Sequence, residues 1–133
     1  MKKQFVTYEI ALKLKELGFD EPCFAFYGLS RDDYKTIRLS IFQNLKTDYL
    51  PDVHHLNVTC DAPLYQQAFR FFREKYKLHL TITSISQESW QWHITKPGES
   101  LGKLYEEDFY TYEDAEIGGL KKLIKIAKEQ NVK

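Results

Sequence analysis

Little in this chain announces chemistry. Of its 133 residues only two are cysteines, Cys23 and Cys60, and they sit in no CxxC-type spacing. That excludes a zinc cage built from cysteine pairs and a disulfide-stapled scaffold, and favours two buried thiols in a reducing compartment over a disulfide. The six glycines are scattered, so no glycine-rich loop is present to cradle a phosphate. HExxH and GxSxG are missing as well. There is no excess of charge: Lys plus Arg and Asp plus Glu both number 19. Neutrality argues against a general nucleic-acid binder and against docking on an anionic membrane. Long apolar runs are also lacking. Glu9 and Lys13 interrupt any leader-like segment after Lys2 and Lys3, so a cytoplasmic protein is expected.

What is present points to a core. The chain is 43% hydrophobic and 15% aromatic, and its length suits one domain spanning residues 1–133. The pattern Thr-Tyr-Glu-x-Ala occurs at Thr7–Ala11 and again at Thr111–Ala115, each time opening an amphipathic run. Thr7 reads as a helix cap, with Tyr8, Ala11, Leu14 and Leu17 at helical spacing and Gly18 placed to end the helix. A second helix is expected from Asp61, with Pro63 in its first turn and Leu64, Ala68, Phe71 and Phe72 on one stripe. The last helix is expected from about Tyr112 to Lys128.

Between the helices lie alternating segments. Cys23–Tyr27 and Thr36–Ile41 read as one hairpin, and Leu78–Thr83 and Trp90–Ile94 as another, with a short edge strand within Leu101–Tyr110. Gln43–Thr59 has no dominant period and reads as a long connection. The expected fold is α+β, in the order α-β-β-α-β-β(-β)-α: an antiparallel sheet of four or five strands with three helices on one face. The halves 5–45 and 61–128 are open to reading as a diverged repeat.

The segment Ala62-Pro63-Leu64-Tyr65-Gln66-Gln67-Ala68, continuing to Phe72-Arg73-Glu74-Lys75, and the later Tyr112-Glu113-Asp114-Ala115 carry a resemblance. The chain resembles a family of small uncharacterised proteins from gut bacteria and their phages and prophages. The likeness covers residues 62–128, and 5–27 more loosely. It implies a bacterial, mobile-element origin and assigns neither an activity nor a functional residue.

Candidate chemistry is sparse. His54-His55, with Asp52 and Cys60, supplies too few convergent ligands for a metal site, so neither a metal nor a cofactor is expected. His79 and His93 fall at the polar phase of their strands and so share a face with Thr81, Thr83 and Gln91. With Arg38 and Ser40 from the first hairpin, His79, Thr81, Gln91 and His93 make the candidate binding surface. Trp90 and Trp92 take the apolar phase, where they serve the core and cannot stack on bases.

Glu116 falls within the apolar arc of the last helix and requires a partner or a raised pKa. Acidic residues open that helix, and Lys121, Lys122, Lys125 and Lys128 follow, complementing its dipole. Gly119 lies at the edge of the apolar arc, where close packing suits it, and Gly118 is assigned to the outer face.

The leading expectation is a non-enzymatic binding or adaptor protein whose partner is another protein or a second copy of itself. One competitor is a nucleic-acid module, since residues 62–128 follow the α-β-β-(β)-α order of double-stranded RNA-binding domains. Glu113, Asp114 and Glu116 stand where such domains place phosphate-gripping lysines. The other competitor is a small ligand-binding protein or hydrolase using His79, His93 and Glu116.

Overall fold

The computed structural model describes residues 4–28, 37–39, 58–97 and 108–132. The fold is α+β, and it divides into two compact units, Met1–Gln67 and Ala68–Lys133. Among the described residues each unit has its own three-stranded antiparallel sheet.

In the first unit, helix α1 (Tyr8–Glu16) starts at Thr7, whose Oγ1 accepts the Ile10 N–H at 3.4 Å. It ends as expected at Gly18, which adopts φ 93°. There the Gly18 N–H donates to the Lys15 carbonyl and the Phe19 N–H to the Leu14 carbonyl, both at 3.0 Å. These two bonds bring N–H donors from beyond the helix to carbonyls of its last turn. Ile10, Ala11 and Leu14 are buried, and the helix packs on strand β3.

The first sheet consists of β1 (Ala25–Gly28), β2 (Ile37–Leu39) and β3 (Val58–Ala62), in the order β2-β1-β3. Strand β3 corrects the sequence reading. The expected long connection includes Val58 and Thr59, and the expected second helix starts at Asp61, but all three lie in β3, where Val58 and Asp61 pair with Gly28 and Phe26 of β1 and Thr59 falls at a shift of register. The cause is a period-two pattern hidden by small residues, since Cys60 and Ala62 are buried while Asp61 is half-buried. Most of Gln43–Thr59 lies outside the described residues. Helix α2 (Tyr65–Phe71) therefore starts later than expected. Its first turn is held by Gln67, whose Oε1 accepts the Leu64 N–H and whose Nε2 donates to the Pro22 carbonyl, each at 3.0 Å.

In the second unit α2 runs into a π-helical turn, Phe72–Tyr76, closed by Lys77 at φ 59°. Strands β4 (His79–Ser86), β5 (Ser89–Thr95) and β6 (Asp108–Phe109) form a meander with β5 in the centre. Among the described residues the strands form two sheets and not the expected single sheet of four or five, because β3 pairs with β1 and the second hairpin pairs with β6.

Helix α3 (Tyr112–Val132) packs on all three strands of this second sheet. Its first turn repeats the device of α1: Thr111 Oγ1 accepts the Asp114 N–H at 3.0 Å. The repeated Thr-Tyr-Glu-x-Ala pattern is therefore a helix-start signal. Its threonine caps the third helical N–H, and its alanine, Ala11 or Ala115, is buried.

The strand phases hold. Leu80 faces Ile94 and Ile82 faces Trp92 in register. Leu78, Trp92, Ile94, Phe71, Phe72, Leu120 and Ile124 are buried, whereas Leu80, Ile82 and Trp90 are half-buried.

Candidate functional site

Alternation along β4 and β5 decides which side chains can meet. Thr81 pairs with His93, Thr83 with Gln91 and His79 with Thr95, so all six share one face. The histidines are diagonal neighbours, two positions apart in register. Thr81 and Thr83 are exposed, while His79, Gln91 and His93 are half-buried. Strand β6 adds to this face, since Gln91 Nε2 donates to Asp108 Oδ1 at 2.7 Å. The face is thus a hydroxyl, amide and imidazole surface with one carboxylate at its margin.

One of the expected residues belongs to the first sheet. Arg38 lies on β2 of the other unit's sheet, opposite Phe26, and its side chain is outside the described residues. Ser40, Asp52, His54 and His55 are also outside them. Among the described residues no three of His, Cys, Asp and Glu come together as a cation site. No helix there is long and apolar enough to cross a membrane.

The opposite face of the same sheet meets α3, and here two helical glycines set the geometry. A Cβ on Gly119 would stand 2.7 Å from Leu80 Cδ1. On Gly118 it would stand 2.5 Å from Phe109 Cζ and 3.3 Å from Trp92 Nε1. Gly118 therefore faces the sheet and not the outside. The Phe109 ring occupies the space that a side chain would need.

Glu116 lies on this inner side of α3 with 8% of its surface exposed. Burial, reinforced by the nearby Glu113 carboxylate, pushes its pKa up to about 7. A carboxyl in apolar surroundings holds its proton because the anion loses hydration. Tyr112, one turn earlier, meets the Trp90 ring edge-on at 5.3 Å. Its phenol is also raised, first by burial and then by Glu116 and Glu113. Helix α3 and the histidines take opposite faces of the sheet, so Glu116, His79 and His93 do not form one catalytic group.

A cleft of about 410 Å³ opens where α3 crosses β5 and β6, lined by Trp92, Phe109, Gly118, Lys121, Lys122 and Lys125. The expected last helix, ending at about Lys128, places these lysines near its C-terminal end, where they complement the dipole. Because α3 continues to Val132, its last turn holds no basic residue, and Lys121, Lys122 and Lys125 lie mid-helix. One signal was available beforehand: Lys121 and Lys125 are four positions apart, and no acidic residue lies three or four positions from Lys121 or Lys122.

In comparisons with protein-family models, with curated proteins and with solved structures, nothing matches this chain.

Proposed function

We propose that this chain is a small non-enzymatic binding protein of bacterial or phage origin, acting in the cytoplasm. Its recognition surface is the polar face of β4 and β5, and its partner is another protein. The observation that carries this reading is the placement of His79, Thr81, Gln91 and His93 on one face, opposite the face that α3 covers. That face offers hydrogen-bonding groups on a paired backbone, which suits the rim-rich chemistry of protein contacts. Separation of Glu116 from both histidines supports binding over acid–base catalysis.

A photo-crosslinker at the exposed Thr81 tests it. The full chain should capture a discrete partner, and the double substitution His79→Ala/His93→Ala should abolish capture with the melting temperature nearly unchanged. Capture of the same partner at full strength by the double variant would reduce this face to a solvated sheet.

One observation favours a second reading. The second unit contributes a helix, a β4-β5-β6 meander and a helix, in the order found in double-stranded RNA-binding domains. The exposed Glu113 and Asp114 at the start of α3 oppose it, since they repel phosphates there. A mobility shift with duplex RNA that weakens steeply with salt would favour it.

A further inference from the structure

We propose that the outer edge of β4 pairs antiparallel with the β4 of a second copy of this chain, joining two three-stranded sheets into one. In the order β4-β5-β6 the centre belongs to β5, and β4 is paired on one side. Among the described residues no strand and no backbone hydrogen bond meets its other side. An edge of this kind presents a row of N–H and C=O groups, a ready template for another strand.

The strand edges of this chain are not alike. Strands β2 and β6 are three and two residues long, and β3 carries Asp61 and faces a shift of register. Shortness, charge and irregularity are the devices that keep edges from pairing. Strand β4 has eight residues, and no Asp, Glu, Lys or Arg occurs from 78 to 87. Its threonines and isoleucines favour extended backbone. Its one irregularity, the shift between Ser84 and Ser86, lies near the hairpin tip and leaves 79–83 regular. Thr83 and Ser84 point to opposite faces and both are exposed, as are Ile85 and Ser86.

The residues of the strand select the occupant. Antiparallel pairing about a two-fold axis at Thr81 sets Thr81 opposite itself, Leu80 opposite Ile82 and His79 opposite Thr83. Directly opposed side chains share a face, so apolar residues meet on the side of α3 and polar residues on the other. Leu80 and Ile82, half-buried in one copy, gain cover from their counterparts. Moving the axis to Ile82 would set Leu80 against Ser84 and run the pairing into the irregular tip. A foreign strand has to supply the match, whereas a second copy has it by symmetry. Closure points the same way. The joined sheet runs β6-β5-β4-β4-β5-β6 and ends on each side in a two-residue strand, too short to extend it. This pairing uses an edge and leaves the polar face open, so it goes beyond the reading of that face as a recognition surface. The competing view is an edge left to water.

Sedimentation equilibrium of the full-length chain, with disulfide trapping, separates these views. The chain should dimerise reversibly across a micromolar dilution series. Thr81→Lys sets two like charges opposite each other on the axis and should weaken the dimer by roughly tenfold or more. Thr81 is exposed, so a normal melt is expected. Mixing Thr81→Lys with Thr81→Asp should restore a dimer of one copy each. Thr95→Lys, exposed on the same face but on the central strand, should leave the dimer unchanged. Under mild oxidation Thr81→Cys should link two copies faster than Thr83→Cys, because only the former faces its own counterpart across the axis.

A chain that stays monomeric at millimolar concentration overturns the proposal. A dimer that Thr81→Lys leaves intact places the interface away from β4, and equal trapping by Thr83→Cys overturns the register. Protection of the β4 amides only when a different protein is added overturns the second copy in favour of a foreign strand.

Discussion

The two units bury ionisable groups of different kinds, and the same physical push has opposite consequences in each. In the first unit the groups are Cys23, Cys60 and Tyr27, all neutral at pH 7 before folding. Burial, reinforced by the Asp61 charge, lifts the Cys23 thiol well above its ordinary range. Cys60 is pushed up to about 11 and Tyr27 to about 12, chiefly by burial. The Tyr27 hydroxyl also donates to the Val6 carbonyl at 2.6 Å. All three groups move further from neutrality, so their protonation is indifferent to physiological pH. In the second unit the group is Glu116, and burial moves it toward neutrality, up to about 7. Among the described residues, the buried group whose titration moves into the physiological range therefore belongs to α3.

The units also seat their helices differently. Helix α1 fills its interface with Ile10, Ala11 and Leu14, whereas α3 makes room with Gly118 and Gly119 for side chains from the sheet. If the second seat depends on one large side chain, Trp92→Ala should be the most damaging substitution. Trp92 is 1% exposed, and its truncation should cost about 3–5 kcal/mol, against about 2–5 kcal/mol for Leu14→Ala in the first unit. Denaturant unfolding measures both. A Trp92→Ala loss well below that of Leu14→Ala would erase the contrast.

The pH contrast gives the next effect. The folded pKa of Glu116 lies above its ordinary 4.5, so between pH 4.5 and about 7 the native chain keeps a proton that the unfolded chain has lost. Stability must then fall as pH rises through that window, and Glu116→Gln should remove this component of the slope. At pH 8 the variant should be more stable by about 1–3 kcal/mol. Thermal melts from pH 4 to 8 decide it, and parallel curves for the two proteins would place the pH sensitivity elsewhere.

The smallest effect concerns the helix seat itself. Gly118→Ala gains about 1 kcal/mol of helix propensity but drives a methyl into the Phe109 ring at a cost of about 1–3 kcal/mol. The net expectation is a loss of about 1 kcal/mol. A gain of similar size would mean that Phe109 does not occupy the space beneath Gly118.

Much of this was legible because it is local. Thr7 and Gly18 bound α1, and alternation placed Trp92 and Ile94 inside and Thr81 outside. Glu116 stood out because a charge in an apolar arc breaks helical periodicity. What escaped was non-local. Strand β3 exists through its pairing with β1, and its small residues Cys60 and Ala62 carry a weak hydrophobic signal. The role of Gly118 depends on Phe109, which reaches it from another strand, and no periodicity within α3 reveals that. The candidate binding surface shared this limit. Its β4 and β5 members followed from one hairpin, but grouping them with Arg38 and Ser40 assumed a single sheet.

The π-helical turn at Phe72–Tyr76 bears on how this helix can be compared with others. Phe71, Phe72 and Tyr76 form a three-ring cluster, with ring centroids 5.4 to 5.9 Å apart. Ordinary winding would carry Tyr76 well round the helix from Phe71. The wider turn brings it back beneath both rings, from where its hydroxyl accepts the Asn131 amide of α3 at 3.1 Å. The turn accommodates one residue more than regular winding would place there. Any superposition of this segment on a regular α-helix must open a one-residue gap between Phe72 and Tyr76, and a gapless alignment would put Tyr76 on the wrong side of the helix.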